Sequence, residues 1–273
     1  MLVLLPAAWQ PLLTTCSLGR EGVICQHTLT STNTVLKDLA RRGEMSQGVC
    51  LCEMQTAGRG RLDRSWSSPE GRGVWMSVLL RPQLPPEKTP LVTFCAAIAM
   101  TKAIRRLTGV DARIKWPNDV VADGRKLCGV LLEAGFAPDG GMFVVAGTGL
   151  NVHRGAYPPE LSDRAVALEE LCDAPGRNEL IAAYLSELEE AVSAAEASYL
   201  EGIAQSYHEL SCTLGHEVQV LSPAETFTGV AESVDGDGAL LVRTGAGEIR
   251  RVLAGDVSVR GLMGYVGRPW HGA

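Results

Sequence analysis

The chain has 273 residues, 46% of them hydrophobic, and a formal net charge of −6 at pH 7. Its length exceeds the usual size of one domain, so we expect one large core and one small domain. The acidic balance argues against non-specific binding to nucleic acid or to an anionic membrane, and the eight scattered cysteines favour a reduced, cytoplasmic protein.

Strand-like and helix-like segments alternate in the first half of the chain. The first eight residues are apolar but lack a basic start, and Pro6 and Pro11 interrupt the segment, so neither a signal peptide nor a membrane-spanning helix is predicted. Hydrophobic patterning then predicts strands and helices in turn. The predicted strands cover 22–30, 48–53 and 74–81, and the predicted helices cover 34–42 and 91–107.

Three polar residues, Ser31, Thr32 and Asn33, precede the first predicted helix. Such residues cap helices by accepting hydrogen bonds from backbone N–H groups, so an N-cap is one interpretation. One residue is enough for a cap. The other interpretation is therefore a polar cluster that faces a ligand.

An arginine- and glycine-rich segment, residues 58–73, joins two predicted strands, and we call it the arginine loop. Its arginines (Arg59, Arg61, Arg64 and Arg72) carry permanent charges, which repel one another unless an anion neutralises them. Its glycines allow the backbone to fold over a ligand. The sequence predicts a mobile loop that closes over a phosphate or carboxylate.

Lys126 lies beside two predicted strands, 127–133 and 142–150. A lysine in this position is often a solvated rim residue. Gly129 and Gly147, however, allow close approach of a ligand or another backbone, so small residues on adjacent strands predict a slot with Lys126 at its open end.

The second half of the chain changes from helical to β-type patterning. Segments 165–171 and 179–205 are predicted helices that cover the sheet. From residue 215 onwards, short strands alternate with glycine turns, which predicts a small β-barrel. Cys50 and Cys52 lack a second ligand pair at suitable spacing, so no zinc site is predicted.

Five ordered blocks of this sequence resemble the motifs of biotin protein ligases, and the similarity extends over residues 28–259. The blocks are 31–33, 55–61 with its continuation to Trp66, 115–119, 126–129 and 147–151. The resemblance implies an α+β fold with a mixed β-sheet packed with helices, as in class II synthetases and lipoate–biotin ligases. It also implies a catalytic domain at 1–213, a C-terminal SH3-like β-barrel at 214–262 and a tail at 263–273.

The resemblance implies ATP-dependent ligation of biotin to a lysine of a biotin carboxyl carrier protein, through a biotinyl-5′-AMP intermediate. ATP would enter as its Mg²⁺ complex. Two alternatives stay open at this point. One is a lipoate or octanoate ligase or transferase of the same fold, and the other is a non-enzymatic biotin-sensing protein. The arginine loop and the 115–119 block favour the biotin family.

The resemblance also assigns site residues, with Lys126, Arg61 and Arg59 as the catalytic group. Lys126 would draw the biotin carboxylate and the α-phosphate of ATP together. Asp119 would lie near Mg²⁺, without a dedicated protein metal site. The biotin site would comprise Ser31, Thr32, Asn33, Gln55, Gly58, Arg59, Gly60, Arg61, Lys126, Gly129, Leu131 and Gly147. The ATP and adenylate site would comprise Arg61, Arg64, Trp66, Lys115, Asn118, Asp119, Lys126 and Asn151.

Two departures from the family pattern carry further expectations. Asp63 stands where the family usually has a third glycine of the loop, which adds an anion beside the phosphate clamp and predicts weaker retention of the adenylate. The residues that precede the catalytic region are too few for a helix-turn-helix, so we expect no binding to DNA. Monomer and homodimer both stay open.

Overall fold

A seven-stranded mixed sheet forms the centre of the larger unit. The structure, a computed structural model, describes residues 4–62, 64–221, 226–253 and 256–259, so the expectation for Asp63 lies outside the described residues. The strand order is β1-β2-β3-β7-β6-β5-β4, with β1 and β2 parallel and the other pairs antiparallel. The strands are β1 Val23–Leu29, β2 Gly48–Gln55, β3 Gly73–Leu80, β4 Arg113–Lys115, β5 Asp119–Ala122, β6 Arg125–Phe136 and β7 Met142–Asn151.

Helices cover both faces of this sheet. Successive side chains of a strand point to opposite faces, and apolar side chains on both faces are buried against helices. On β2, Val49 and Leu51 join the large core beneath the longer helices, while Cys50 joins a smaller cluster with Leu36 of the second helix. The predicted α+β fold is confirmed. The helices are α1 Pro6–Trp9, α2 Thr32–Arg41, α3 Leu91–Thr108, α4 Arg177–Ser198 and α5 Leu200–Leu210.

The N-terminal segment folds back into the large core. Leu4 and Trp9 are buried, so the apolar start of the chain packs against protein. The carboxylate of Glu189 on α4 accepts backbone hydrogen bonds from Ser17 and Leu18, both at 2.8 Å, and thereby fixes the turn before β1. Among the described residues, no helix is both long and apolar enough to span a membrane.

Two of the predicted helices differ from the structure. Segment 165–171 holds only a 3-10 turn, Leu168–Glu170, because the backbone on both sides of Ala165 is committed to β6: Lys126 donates to Arg164, and Val166 donates to Lys126. The predicted helix 179–205 is two helices, α4 and α5, that are separated at Tyr199, where φ is 54°.

The C-terminal unit is a five-stranded antiparallel sheet of order β11-β10-β9-β8-β12. It lies against the larger unit, where the indole N–H of Trp116 donates to the carbonyl of Gly238 (3.0 Å) and Lys88 pairs with Asp237 (2.9 Å). Closure of this sheet into a barrel stays a prediction, as do the domain boundaries. Its strands are β8 Glu217–Leu221, β9 Thr226–Val234, β10 Leu240–Thr244, β11 Ile249–Val252 and β12 Asp256–Val259.

Candidate active site

A cavity of about 600 Å³ lies beside the N-terminal end of α2, against β6 and β7 and the arginine loop. All the residues that the sequence assigned to the site line this cavity, with the exception of Gly58. Gly58 instead forms the base of the loop, where its carbonyl accepts a hydrogen bond from Trp66 N (2.9 Å). A Cβ at this position would lie 2.4 Å from the Trp66 carbonyl oxygen, so the loop requires glycine there.

A chain of buried polar side chains forms one end of the cavity. The backbone N–H of Thr32 donates to Gln55 Oε1 (2.9 Å), and the Thr32 hydroxyl lies 2.6 Å from that of Ser77. Ser77 donates to Asn33 Oδ1 (2.5 Å), and Gln55 Nε2 donates to Ser68 (2.8 Å). These bonds satisfy polar groups that would be costly to bury alone, and they hold the polar cluster towards the cavity. Ser31 lines the same end.

Glu133 of β6 extends this polar chain towards the arginine loop. Its carboxylate accepts hydrogen bonds from Asn33 Nδ2 (2.9 Å), Lys37 Nζ (2.5 Å) and Arg59 Nη2 (2.5 Å). Burial by itself would raise the pKa of the Glu133 carboxyl, but the hydrogen bonds from Lys37 and Asn33 and the charge of Arg59 hold that pKa below its usual value. Glu133 is therefore a carboxylate at neutral pH.

Lys126 also lines the cavity, next to an acid and an aromatic ring. Its ammonium is 2.6 Å from Asp119 Oδ1 and 5.1 Å from the centre of the Trp66 ring, within the range of a cation–π contact. Asp119 reaches this place because β5 pairs with β6 in a register that puts Asp119 opposite Gly129. The Lys126 ammonium is thus held in a fixed position.

The Lys-Trp-Pro-Asn-Asp block forms the β4–β5 hairpin, with a cis peptide bond between Trp116 and Pro117. In the strand register of this hairpin, the backbone of Lys115 lies opposite that of Asp119. Asn118 is buried and donates to the Val130 carbonyl (2.7 Å), while its Oδ1 accepts a hydrogen bond from Arg61 (2.9 Å). The block therefore links the arginine loop to the part of the cavity that contains Lys126.

Glycines on β6 and β7 leave room for the side chains of Trp66 and Asn33, which line the cavity. Gly129 and Gly149 are opposite each other in the sheet, and the Trp66 indole lies over both. A Cβ at Gly149 would lie 2.4 Å from Trp66 Nε1, and one at Gly147 would lie 2.1 Å from Asn33 Oδ1. Side chains at these positions would collide with site residues.

Charge around the cavity is strongly biased. Among the described residues that line it, Asp119 is the only acid. Six cations oppose it, so the cavity is suited to anionic ligands. The cations are Arg59, Arg61, Arg64, Lys115, Lys126 and Arg164.

Sequence reasoning missed several residues of the cavity region. Ser77 is a polar residue in strand β3, which is otherwise apolar and fully buried. A serine within such an apolar run is the sequence signal that could have marked it. Tyr157 lines the cavity and donates to Glu170 (2.5 Å), and burial together with this hydrogen bond raises the pKa of Tyr157 to about 12. Other residues for which the sequence held no local signal include Glu133, Arg164, Leu221 and Val257.

The cavity combines six cations with a cluster of uncharged polar side chains, an arrangement suited to an enzyme that binds anionic ligands. Residues 25–141 match the biotin/lipoate A/B protein ligase family, and residues 213–260 match the biotin protein ligase C-terminal domain. The chain belongs to the biotin protein ligases, enzymes that attach biotin to protein at the expense of ATP.

Individual relatives and a solved structure support this membership. The chain is 32% identical to the bifunctional ligase/repressor BirA of Bacillus subtilis, over 88% of this chain and 74% of that protein. It is 35% identical to the biotin–[acetyl-CoA-carboxylase] ligase of Mycobacterium tuberculosis, over 83% of this chain and 85% of that protein. The biotin protein ligase from Aquifex aeolicus in complex with biotin and ATP superposes with a TM-score of 0.73 at 28% identity, covering 88% of this chain and 99% of that one. The predicted biotin ligase activity, with biotin and ATP as substrates, is confirmed.

Proposed function

We propose that this cavity performs both half-reactions of the ligase. Biotin and ATP first give biotinyl-5′-AMP and pyrophosphate; a lysine of a biotin carboxyl carrier protein then attacks the activated carbonyl, which forms an amide bond and releases AMP. The observation that carries the proposal is that one cavity is lined both by uncharged polar side chains and by six cations, because biotin has a neutral ureido head and a terminal carboxylate.

The polar end receives the ureido group. Ser31, Thr32, Asn33 and Gln55 supply donors and acceptors there, while Leu131 and the glycines of β6 and β7 border the apolar body of the ligand. The carboxylate of biotin then points towards Lys126. In this proposal, biotin lies along the floor of the cavity with its reactive end among the cations.

Lys126 stabilises the adenylation transition state. The biotin carboxylate and the α-phosphate of ATP repel each other, and negative charge develops on the phosphates as pyrophosphate leaves. A cation already fixed beside both groups stabilises this charge at no cost of reorganisation. The contact of Lys126 with Asp119 supplies the fixed position.

The arginine loop and the β4–β5 hairpin hold the nucleotide. Arg61 and Arg64 face the phosphates, Trp66 packs against the adenine or supports the closed loop, and Asn151 lies at the same end. Mg²⁺ enters as the complex with ATP. Such ions are usually held by one or two carboxylates together with substrate phosphates, and Asp119 supplies a carboxylate in the cavity.

Closure of the arginine loop protects the mixed anhydride from water until the carrier arrives. The carrier lysine reaches the carbonyl beside Lys126, and its proton goes to Asp119 or to a substrate phosphate. We place the reaction in the cytoplasm, in keeping with the reduced cysteines.

Exchange of labelled pyrophosphate into ATP tests the first half-reaction. We expect exchange that depends on biotin, and transfer of biotin to a purified carrier domain when that domain is added. Lipoate and octanoate serve as competing acids. Exchange that is supported by lipoate or octanoate but not by biotin would contradict the proposal.

A further inference from the structure

Glu133 joins three elements of the active site and has no role in the function proposed above. Its side chain is 18% exposed, and its carboxylate accepts hydrogen bonds from Asn33 and Lys37 of α2 and from Arg59 of the arginine loop. An ion pair with Lys37 alone would fasten α2 to β6. The additional bond to Asn33 reaches the polar chain of the biotin end.

The bond between Glu133 and Asn33 fixes which way the Asn33 amide points. A carboxylate only accepts hydrogen bonds, so the amide must turn Nδ2 towards it. Nδ2 also lies 3.3 Å from the Leu131 carbonyl, which is a second acceptor. The opposite orientation would set Asn33 Oδ1 against the carboxylate. Asn33 Oδ1 therefore faces Ser77 and the cavity.

This orientation determines the direction of the whole polar chain. Asn33 Oδ1 accepts the single proton of the Ser77 hydroxyl, so in the 2.6 Å contact with Thr32 the Ser77 oxygen is the acceptor; Gln55 Oε1, at 3.2 Å, is the more distant acceptor for the Thr32 hydroxyl. Gln55 Oε1 takes the Thr32 backbone N–H, and Gln55 Nε2 is left to donate to Ser68. With Asn33 Oδ1 as the acceptor at one end, the shortest contacts of the chain run in one direction, from Thr32 through Ser77 to Asn33.

Asn33 and Gly147 both line the cavity, and Asn33 Oδ1 packs against Gly147, where an added Cβ would lie 2.1 Å from it. A carbonyl oxygen has two lone pairs, and Ser77 occupies one of them. The second lone pair is available to an N–H group of a ligand. A ureido group, with two N–H donors and one carbonyl, has a donor for this acceptor.

We propose that Glu133 is a positioning residue that orients Asn33 and thereby fixes the donor and acceptor pattern that the ureido group meets. The inference rests on the proposed function, because it requires biotin at the polar end. Glu133 acts through Asn33 and does not itself contact the ligand. A Glu133→Gln chain keeps the side-chain size, but its amide can donate, so Asn33 can reverse.

Calorimetric binding of two ligands to the whole chain tests this role. The first ligand is biotin, and the second is its cyclic carbamate analogue, in which oxygen replaces one ureido N–H. In the wild type, the analogue sets an acceptor against Asn33 Oδ1 and should bind much more weakly than biotin. In Glu133→Gln, biotin should weaken about tenfold or more, and the ratio of the two dissociation constants should fall towards one.

Three further variants separate orientation from structural support. Lys37→Met removes the ion pair of Glu133 and should keep the wild-type ratio. Ser77→Ala removes a neighbour of Asn33 and should weaken biotin but also keep the ratio, because Glu133 still orients the amide. Asp139→Asn loses a hydrogen bond from Arg81 at an exposed position outside the cavity and should change neither constant.

The possible results distinguish the two proposals. A wild type that binds no biotin would refute the proposed function. A wild type that discriminates between the ligands, together with a Glu133→Gln chain of unchanged ratio, would overturn the role of Glu133 alone. If Glu133→Gln does not fold, the Ser77→Ala ratio decides: a retained ratio supports orientation of the amide by the acceptors at Asn33 Nδ2, of which Glu133 is the nearer, and a ratio that falls towards one contradicts it.

Discussion

Lys126 Nζ lies 2.6 Å from Asp119 Oδ1, and both side chains line one cavity. The lysine is on β6 and the aspartate on β5, so the pairing of two strands fixes the position of the cation. Without this contact, the long and flexible Lys126 side chain would lose rotamer freedom on substrate binding, which is an entropic cost. The sheet orders this side chain before the substrates bind.

Replacing Lys126 by Met should lower biotin-dependent pyrophosphate exchange by about 10²-fold or more, because one contact with developing transition-state charge is lost. The length of the side chain is nearly unchanged. The matched control is Lys102→Met on α3, which should exchange at the wild-type rate. Near-normal exchange in Lys126→Met would refute the assignment of this lysine.

Replacing Gly147 by Ala should weaken biotin binding by about 1–3 kcal/mol, the usual cost of an added methyl in a packed site. The new Cβ would meet Asn33 Oδ1 and force the amide out of position. Calorimetry with biotin measures the effect. Gly141→Ala is the control, since its Cβ would meet only the flexible ends of Arg81 and Asp139. Equal biotin affinities in the two variants would contradict the prediction.

Arg59 and Arg61 should affect different substrates, because Arg59 bonds to Glu133 and Arg61 bonds to Asn118. Arg59→Gln should raise the KM for biotin, and Arg61→Gln should raise the KM for ATP and speed release of the adenylate. Each shift should be about tenfold, the scale of one charged hydrogen bond. Steady-state kinetics with each substrate varied in turn separates them. Identical patterns in the two variants would be inconsistent with this division.

The stability that Glu133 contributes should depend on pH. Its carboxyl pKa is held below the usual value of 4.5, so the ionised form favours the folded state. The contribution is full above pH 4.5 and is lost as the pH falls through the folded-state pKa. We expect the difference in Tm between the wild type and Glu133→Gln to be constant near neutral pH and to shrink below about pH 4.5. Thermal unfolding from about pH 3 to pH 7 measures it, and a difference that grows towards acid would have the wrong sign.

Most of the sheet and α3 could be predicted because their side-chain patterns are local. The buried run of β3 and the long apolar helix α3 carry their structure in consecutive residues. Segment 165–171 could not be predicted in this way, because the backbone pairing with Lys126 links positions far apart in the chain. The positive φ of Tyr199 likewise has no glycine to mark it.

The candidate site was predictable where it coincides with motifs and was missed where it depends on neighbours in space. The motif residues Thr32, Asn33 and Lys126 were identified as positions in a pattern. Ser77 and Glu133 belong to the site only because β3 and β6 bring them to the N-terminal end of α2. A single sequence contains no record of that proximity.

Leu221 and Val257 come from the C-terminal sheet, yet they form part of the cavity wall. The same sheet is held to the β4–β5 hairpin by the bond from Trp116 to Gly238. The two units are therefore not interchangeable parts. A chimera that takes its C-terminal sheet from a relative would exchange part of the cavity wall together with that sheet. Engineering of substrate range therefore has to consider both units together.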